Sequence, residues 1–480
     1  MPLNALANLL SQYFWLPFVV AFFLCVPVYD RIRPRLPLPR EWGGPRVRAW
    51  FPRLVAVLVC AWPVYDFVQY ALKVPKQRLI DLFVQYTAAR VLAAQGDIYS
   101  FTALKQMANK IGGVNYGSAF SNLLLGYTHP PSDTFFDLRW TLFNWPDVKL
   151  LYGILTPLLF LATLLMVWDT LRRSAPRPLH WLWPVVLFAL YAPVRSSLGL
   201  GQQDILILFL VALSFWALSR GHDLTAAVPI AIATLVKITP GIFVLYFLWK
   251  REWRIALYTM AATLAIVLLG LPWVGIDRWF QFVTQIFPAI STGTSYFDNQ
   301  SLPGLINRLL LDPVYAQGLQ SAPSVPLLRV LNTGAELLLV GAVLFLSRGR
   351  RISRRSLTHA LEFSLLLLIQ PIISPIAWDH YYTWLVFPVT VLLAALMSSR
   401  LSLTRATLIL AALGAGLWLT NIGSQDFQRF PAAWEKSPIL YGALIIFLLL
   451  GERVEGEREE ANADRRQPAA DSAGAQPAPI

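Results

Sequence analysis

Charge is scarce in this chain. Only 14% of its 480 residues are Asp, Glu, Lys or Arg, against about 25% in soluble globular chains. With 56% hydrophobic residues and a mean hydropathy of +0.53, that deficit excludes a water-soluble domain and places most of the chain in lipid. Cysteine is nearly absent. Cys25 and Cys60 both lie in apolar runs, so neither a disulfide framework nor a thiolate metal site is expected. The 27 acidic residues are scattered, and no carboxylate cluster argues for a metal; Asp133 and Asp137 read as a helix-start feature. There is no P-loop and no Gly-rich turn between strand and helix, which removes the soluble-nucleotide machinery. The 40 basic residues form no nucleic-acid patch, so no nucleic-acid partner is expected. The first apolar run lacks a basic n-region and a small-residue cleavage site, and reads as a retained helix.

Long apolar runs are abundant, and 18 Trp and 17 Tyr supply interfacial belts. Spanning about 30 Å of hydrocarbon takes roughly 20 helical residues. Runs of that kind centre on Tyr13–Tyr29, Leu54–Tyr70, Val148–Trp168, Trp181–Val194, Ile205–Leu218 and Ile255–Leu271. Others follow at Leu327–Leu346, Leu357–Ile373, Trp384–Met397, Ala406–Thr420 and Ile439–Leu450. Four arginine-rich segments interrupt them: Asp30–Arg53, Arg172 to Arg177, Lys250 to Arg254, and Arg348 to Arg355. Placing all four in the cytoplasm gives one consistent topology, with the N-terminus outside and the C-terminus inside. The expected fold is an all-α polytopic bundle of about 11–13 transmembrane helices in a bacterial inner membrane. Residues 1–53 form a leading span and Arg-rich loop, 54–450 the membrane body, and 451–480 a disordered cytoplasmic tail. Ala226–Trp249 is flanked by basic residues on both sides and interrupted by Lys237 and Pro240. It reads as a re-entrant hairpin with Lys237 at its apex, or as a proline-kinked helix whose lysine snorkels.

The unusual polar residues collect on the outward side of this topology. Helical spacing from Ile80 to Ala94 allows Ile80, Phe83, Val84, Val91 and Leu92 to lie on the membrane, with Gly96 as a stop. Asp81, in the first turn, is either a helix cap or a general base at the water–lipid boundary, where desolvation raises a carboxylate pKa. His129 sits in the turn Tyr127–Pro131, where a lone histidine is most simply structural. Arg195 ends a span, followed by Gln202 and Asp204; Asn299, Gln300, Ser301 and Arg308 lie in the second long loop; Trp378 and His380 lie in a short turn, Ser374–Tyr382. Lys237, Arg195 and His380 offer cations for a phosphate, and the amides and aromatics suit a sugar.

Read in order, these motifs are Asp81 with Tyr86 and the Ala-rich helix to Gly96; Tyr127–Pro131; Gly201-Gln202; Lys237-Ile238-Thr239-Pro240 followed by Lys250-Arg251-Glu252-Trp253; Asn299-Gln300-Ser301; and Ser374-Pro375 with Trp378 and His380. From about Leu79 to Tyr382 the chain resembles glycosyltransferase family 87, within the GT-C superfamily. The resemblance implies a polyprenyl-phosphate-sugar-dependent hexosyltransferase, mannose favoured. It would act on a glycolipid or glycan hydroxyl at the outer face, with membrane lipid as a further partner and no cofactor. It implies Asp81 as the base, places Lys237 and His380 in the donor-phosphate or active-site region, and leaves Tyr86, His129, Gln202, Asn299, Gln300, Ser301, Arg308 and Trp378 as substrate-binding candidates. Asp204 departs from the asparagine that the resemblance leads one to expect. A lipid flippase or transporter would share the broken helix, but no internal repeat is present. A diphosphate-lipid-dependent polymerase or ligase is the enzymatic alternative, and a purely structural membrane subunit would leave the outward polar residues unexplained.

Overall fold

The computed structural model describes residues 61–112, 127–174, 184, 188–316, 321–349, 353–399, 401–423, 426 and 430–466. Every regular element among them is helical. The expected leading span, the Arg-rich loop to residue 53 and both cysteines lie outside the described residues, as does part of the expected span Trp181–Val194. In chain order the principal helices are α1 (Ile80–Ala93), α2 (Phe101–Ile111), α3 (Pro131–Asp137), α4 (Trp145–Ser174), α5 (Ala192–Leu200), α6 (Asp204–Leu218), α7 (Asp223–Val236) and α8 (Ile242–Trp249). They continue as α9 (Trp253–Val274), α10 (Leu302–Leu310), α11 (Pro326–Leu346), α12 (Leu357–Ile373), α13 (Val386–Ser398), α14 (Leu403–Thr420) and α15 (Pro438–Arg466).

The chain is a multi-pass membrane protein. Length and apolarity qualify four helices as spans, namely α4, α9, α11 and the run Asp379–Ser398 that includes α13. The α5–α6 pair, bent by 117°, makes a fifth if counted as one span. Leu150, Ile154, Leu158 and Leu165 on α4, and Leu257, Leu264 and Leu268 on α9, are exposed. Such leucine stripes on helices inside a large bundle have no counterpart at a water-facing surface, and lipid is what covers them. Among the described residues the expected spans Leu357–Ile373 and Ala406–Thr420 correspond to shorter helices, and Ile439–Leu450 falls within α15.

One axis organises the bundle. Trp145, at the start of α4, packs against Phe83 and Tyr86 of α1, whereas Arg172 and Arg173, at its other end, bind Asp169. The same polarity holds for α6, which runs about 22 Å at 1.5 Å per residue from Asp204 to the neighbourhood of Arg220, itself bound to Asp169. The Arg clusters within the described residues therefore share one end of the molecule, and Asp81, Asp204 and His380 share the other.

The Lys237 segment folds as a broken hairpin. Arg354 binds both Asp223, which opens α7, and Glu252, which follows α8. The two arms thus begin and end at the basic side, with Lys237 at the turn between them.

Three expectations are corrected. The apolar residues of α1 face protein, not lipid: Leu82 through Ala89, Val91 and Leu92 are all buried, because α3, α5 and the Trp145 end of α4 enclose the helix. Arg195, expected to end a span, lies within helix α5, which continues to Leu200. The polar tail expected to be disordered from residue 451 is helical to Arg466. Glu, Arg and Ala are good helix formers, and the tail's inner face docks through buried Arg453 and Val454 and through Arg458.

Candidate active site

A glycine makes the bend that assembles the site. Gly201 caps α5 in the left-handed region at φ +83°, and a Cβ there would stand 2.5 Å from Leu82 Cβ. Only glycine lets the turn lie directly on the start of α1. The next three residues then fan out to three centres. Gln202 Nε2 donates to Asp81 Oδ2 at 2.6 Å. Gln203 Nε2 donates to Gln85 Oε1 at 3.2 Å and reaches Asp137 Oδ2 at 3.3 Å. Asp204 accepts from Lys237 Nζ on Oδ1 at 2.7 Å and meets His380 Nδ1 on Oδ2 at 2.6 Å.

The N-cap position of α1 is Leu79, and the Asp81 carboxylate accepts from Gln202, so the capping reading of this residue finds no support in the geometry. Burial pushes its carboxyl above the usual range, against the lowering influence of the His380 charge and the Gln202 bond. Asp204, by contrast, is fully enclosed and ion-paired through both oxygens. Lys237 Nζ also lies 3.2 Å from the centre of the Tyr381 ring. His380 is oriented further by its neighbour: Asp379 Oδ1 accepts from the His380 backbone N–H at 2.6 Å and from Ser196 Oγ at 3.0 Å.

The other candidates separate into groups. His129 stacks on Tyr127, its Nδ1 2.7 Å from Asp133 Oδ2. Burial alone would lower its pKa, but the Asp133 hydrogen bond and charge outweigh that and raise it. Tyr86 donates to the Phe143 carbonyl at 2.8 Å and accepts from Arg90. Arg195 is bound to Asp66 and lies over Tyr70, so its ion pair is made away from Lys237 and His380. Asn299 bonds the Thr294 and Pro375 carbonyls and the Ala377 N–H. Gln300 bonds the Phe297 and Lys436 carbonyls. Ser301 caps α10, and Arg308 donates to the Tyr296 and Asn299 carbonyls and to Ser437 Oγ. Trp378 packs edge-on against Tyr296. Asn299→Ala is expected to lower the thermal midpoint of the purified protein, because it strands two carbonyls and an amide N–H at about 1–3 kcal/mol for each buried group left unpaired.

Asp204 and Asp298 were not among the site candidates named from sequence. Asp204 carried a signal: it opens an apolar helix, and an intramembrane lysine elsewhere demands a counter-charge. Asp298 carried none. Its carboxyl is pushed up to about 7, by burial first and then by the charge of Asp379.

Asp137 is likewise pushed up to about 7, by burial and by Asp133. A folded-state pKa above the unfolded value means that the native state holds the proton more tightly, so stability falls as pH rises from about 4 to 7. Asp137→Asn is expected to raise the thermal midpoint at pH 8 and to change it little at pH 4, read by unfolding at the two pH values. Among the described residues no group of three or more His, Cys, Asp or Glu is placed to hold a metal ion.

The profile of glycosyltransferase family 87 matches residues 127–375, more than half of the chain. The chain belongs to that family. It is a membrane glycosyltransferase. Among curated proteins it is similar to the polyprenol-phosphate-mannose-dependent alpha-(1-2)-phosphatidylinositol mannoside mannosyltransferase of Mycobacterium tuberculosis (strain ATCC 25618 / H37Rv), with 24% identity over 84% of this chain and 89% of that protein. The protein of the same description from Mycolicibacterium smegmatis (strain ATCC 700084 / mc(2)155) is 27% identical over 61% of this chain and 67% of its own length. A pentamannoside mannosyltransferase from the same organism is 25% identical over 83% of this chain and 87% of that protein. No solved structure matches the chain.

Proposed function

We propose that this glycosyltransferase moves a hexose, mannose first among the candidates, from a polyprenyl-phosphate sugar to a glycolipid hydroxyl at the outer face of a bacterial inner membrane. The observation that carries the reading is the pairing of two unlike centres. Asp81 is a carboxylate held by the Gln202 amide, and its neighbour His380 joins Lys237 on the buried carboxylate of Asp204. On this reading the donor's phosphate lies at Lys237 and His380, with its anomeric carbon toward Asp81. The names of the relatives favour mannose as the sugar and a phosphatidylinositol mannoside as the acceptor class.

The chemistry is a single displacement. The acceptor oxygen gives its proton to Asp81 and forms a bond to the anomeric carbon. The bond from that carbon to the phosphate oxygen breaks, and its electron pair leaves with the polyprenyl phosphate. A β-linked donor thus gives an α-linked product. Because the leaving phosphate is a weak base, no second carboxylic acid is needed, unlike in glycoside hydrolysis; nearby cations stabilise the charge that develops. The scheme calls on no cofactor, since the lipid-linked sugar is itself a substrate. The outward placement follows from the opposed ends of the bundle: with the Arg clusters held in the cytoplasm, the end bearing Asp81 faces out.

The test is transfer of radiolabelled sugar by the purified chain in nanodiscs containing phosphatidylinositol mannosides. Polyprenyl-phosphate mannose, glucose and arabinose are each supplied as donor. Transfer from the mannose donor is expected; failure of all three donors would overturn the proposal.

A further inference from the structure

We infer that Asp204 competes with the donor's phosphate for Lys237 and His380, and that this competition sets how firmly the spent polyprenyl phosphate is held. The inference rests on reading those two cations as the phosphate site. Both of its oxygens are already occupied, one by Lys237 Nζ at 2.7 Å and the other by His380 Nδ1 at 2.6 Å, and the side chain has no exposed surface. The carboxylate has little freedom to withdraw. It opens α6 directly after the 117° bend, and its own carbonyl accepts from Trp384 Nε1 at 3.1 Å. The other neighbours of Lys237 are the rings of Tyr381 and Trp384, whose faces hold a cation without presenting a carboxylate in exchange.

A phosphate arriving at Lys237 and His380 therefore meets groups that already hold an anion. Its charge deepens as the bond to the sugar breaks, so the product binds them more strongly than the donor does. A site whose lysine and histidine were free would favour that product and empty slowly. A fixed carboxylate between them opposes this. It takes both groups back when the phosphate leaves, and it spares the enzyme an uncompensated buried lysine in the meantime. Asp204 is on this account a positioning residue that also weakens product binding, while Asp81 alone meets the acceptor.

The discriminating variant is Asp204→Asn, which keeps the shape and removes the charge. The probe is farnesyl phosphate, a short polyprenyl monophosphate, bound to the full chain in nanodiscs and also used as an inhibitor of transfer. Removing one charged competitor is expected to tighten its binding and lower its inhibition constant about tenfold. A merely structural role would predict the opposite sign, since loosened cations bind phosphate less well. Should the Asn variant not yield monodisperse protein, Asp204→Ser removes the same charge and carries the same test. Wild-type protein that binds no farnesyl phosphate overturns the phosphate site, and this inference with it. Wild-type binding that is unchanged or weakened in the charge-free variant overturns the inference alone.

Discussion

Asp81→Asn is expected to lower the turnover number for sugar transfer by about 10²–10⁴-fold, the usual cost of losing a positioned general base, with the protein still folded. The site contains other carboxylates, and geometry distinguishes them. Asp204 has both oxygens engaged, one by Lys237 and the other by His380, and Asp379 accepts from both Ser196 and the His380 backbone. Each would have to give up two bonds before accepting a proton. Asp81 accepts from Gln202 on Oδ2. Burial raises its affinity for the proton, which makes it a stronger base than a free carboxylate. The sign of the pH dependence follows. Only the deprotonated form works, so kcat/KM should fall as pH drops through the raised pKa, with an acid limb above the ordinary carboxylate value near 3.8. Gln202→Leu removes a bond that favours the ionised form and should move that limb higher. Near-normal turnover in Asp81→Asn, with intact folding, would reassign the base.

The membrane class, the start of the helix bearing Asp81 and the broken hairpin around Lys237 were all legible in sequence. Each is written in a local pattern: a deficit of charge, an amphipathic run, a lysine and a proline interrupting apolar residues. The partners were less legible, because they are remote in the chain. Lys237 stands 33 positions from Asp204, and His380 stands 176 positions away. Asn299, Gln300, Ser301 and Arg308 illustrate the same limit from the other side. Sequence displays their donors and acceptors, but not the carbonyls of Thr294, Phe297, Pro375 and Lys436 that those side chains engage in the fold. The arginine clusters set topology by their count, yet in the fold Arg220, Arg348, Arg354 and Arg405 each bind a carboxylate. Charge bias reports which side a loop takes; it is silent on whom the arginine meets.

Glu362→Leu is expected to produce a large loss of stability at the opposite end of the bundle. Glu362 is wholly enclosed. Its Oε1 accepts from Lys250 Nζ at 3.0 Å and from Arg458 Nη2 at 2.7 Å, and its Oε2 accepts from the Tyr246 hydroxyl at 2.8 Å. Lys250 also donates to the Ser347 carbonyl at 2.9 Å. One carboxylate thus ties together α12, the tip of α8, the end of α11 and the extended α15. Removing it strips Lys250 of its ion-pair partner and leaves Arg458 with Glu455 at 3.6 Å, and breaking a buried pair in this way costs about 3–5 kcal/mol. Lys250→Met should cost less, because Glu362 keeps Arg458 and Tyr246. The double variant should be milder than the sum of its singles, since the lysine that Glu362→Leu strands is no longer there. Thermal unfolding of the four proteins in one detergent reads all three comparisons, and strict additivity would dismiss the coupling. The pair also has a consequence at the active end. Helix α8 leads back to Lys237, and α12 leads on to the turn holding His380. A clamp at the base of both helices fixes the frame in which Lys237 and His380 converge on Asp204, which gives the Lys250-Arg251-Glu252-Trp253 motif a physical role although it lies at the far end of the molecule from the chemistry.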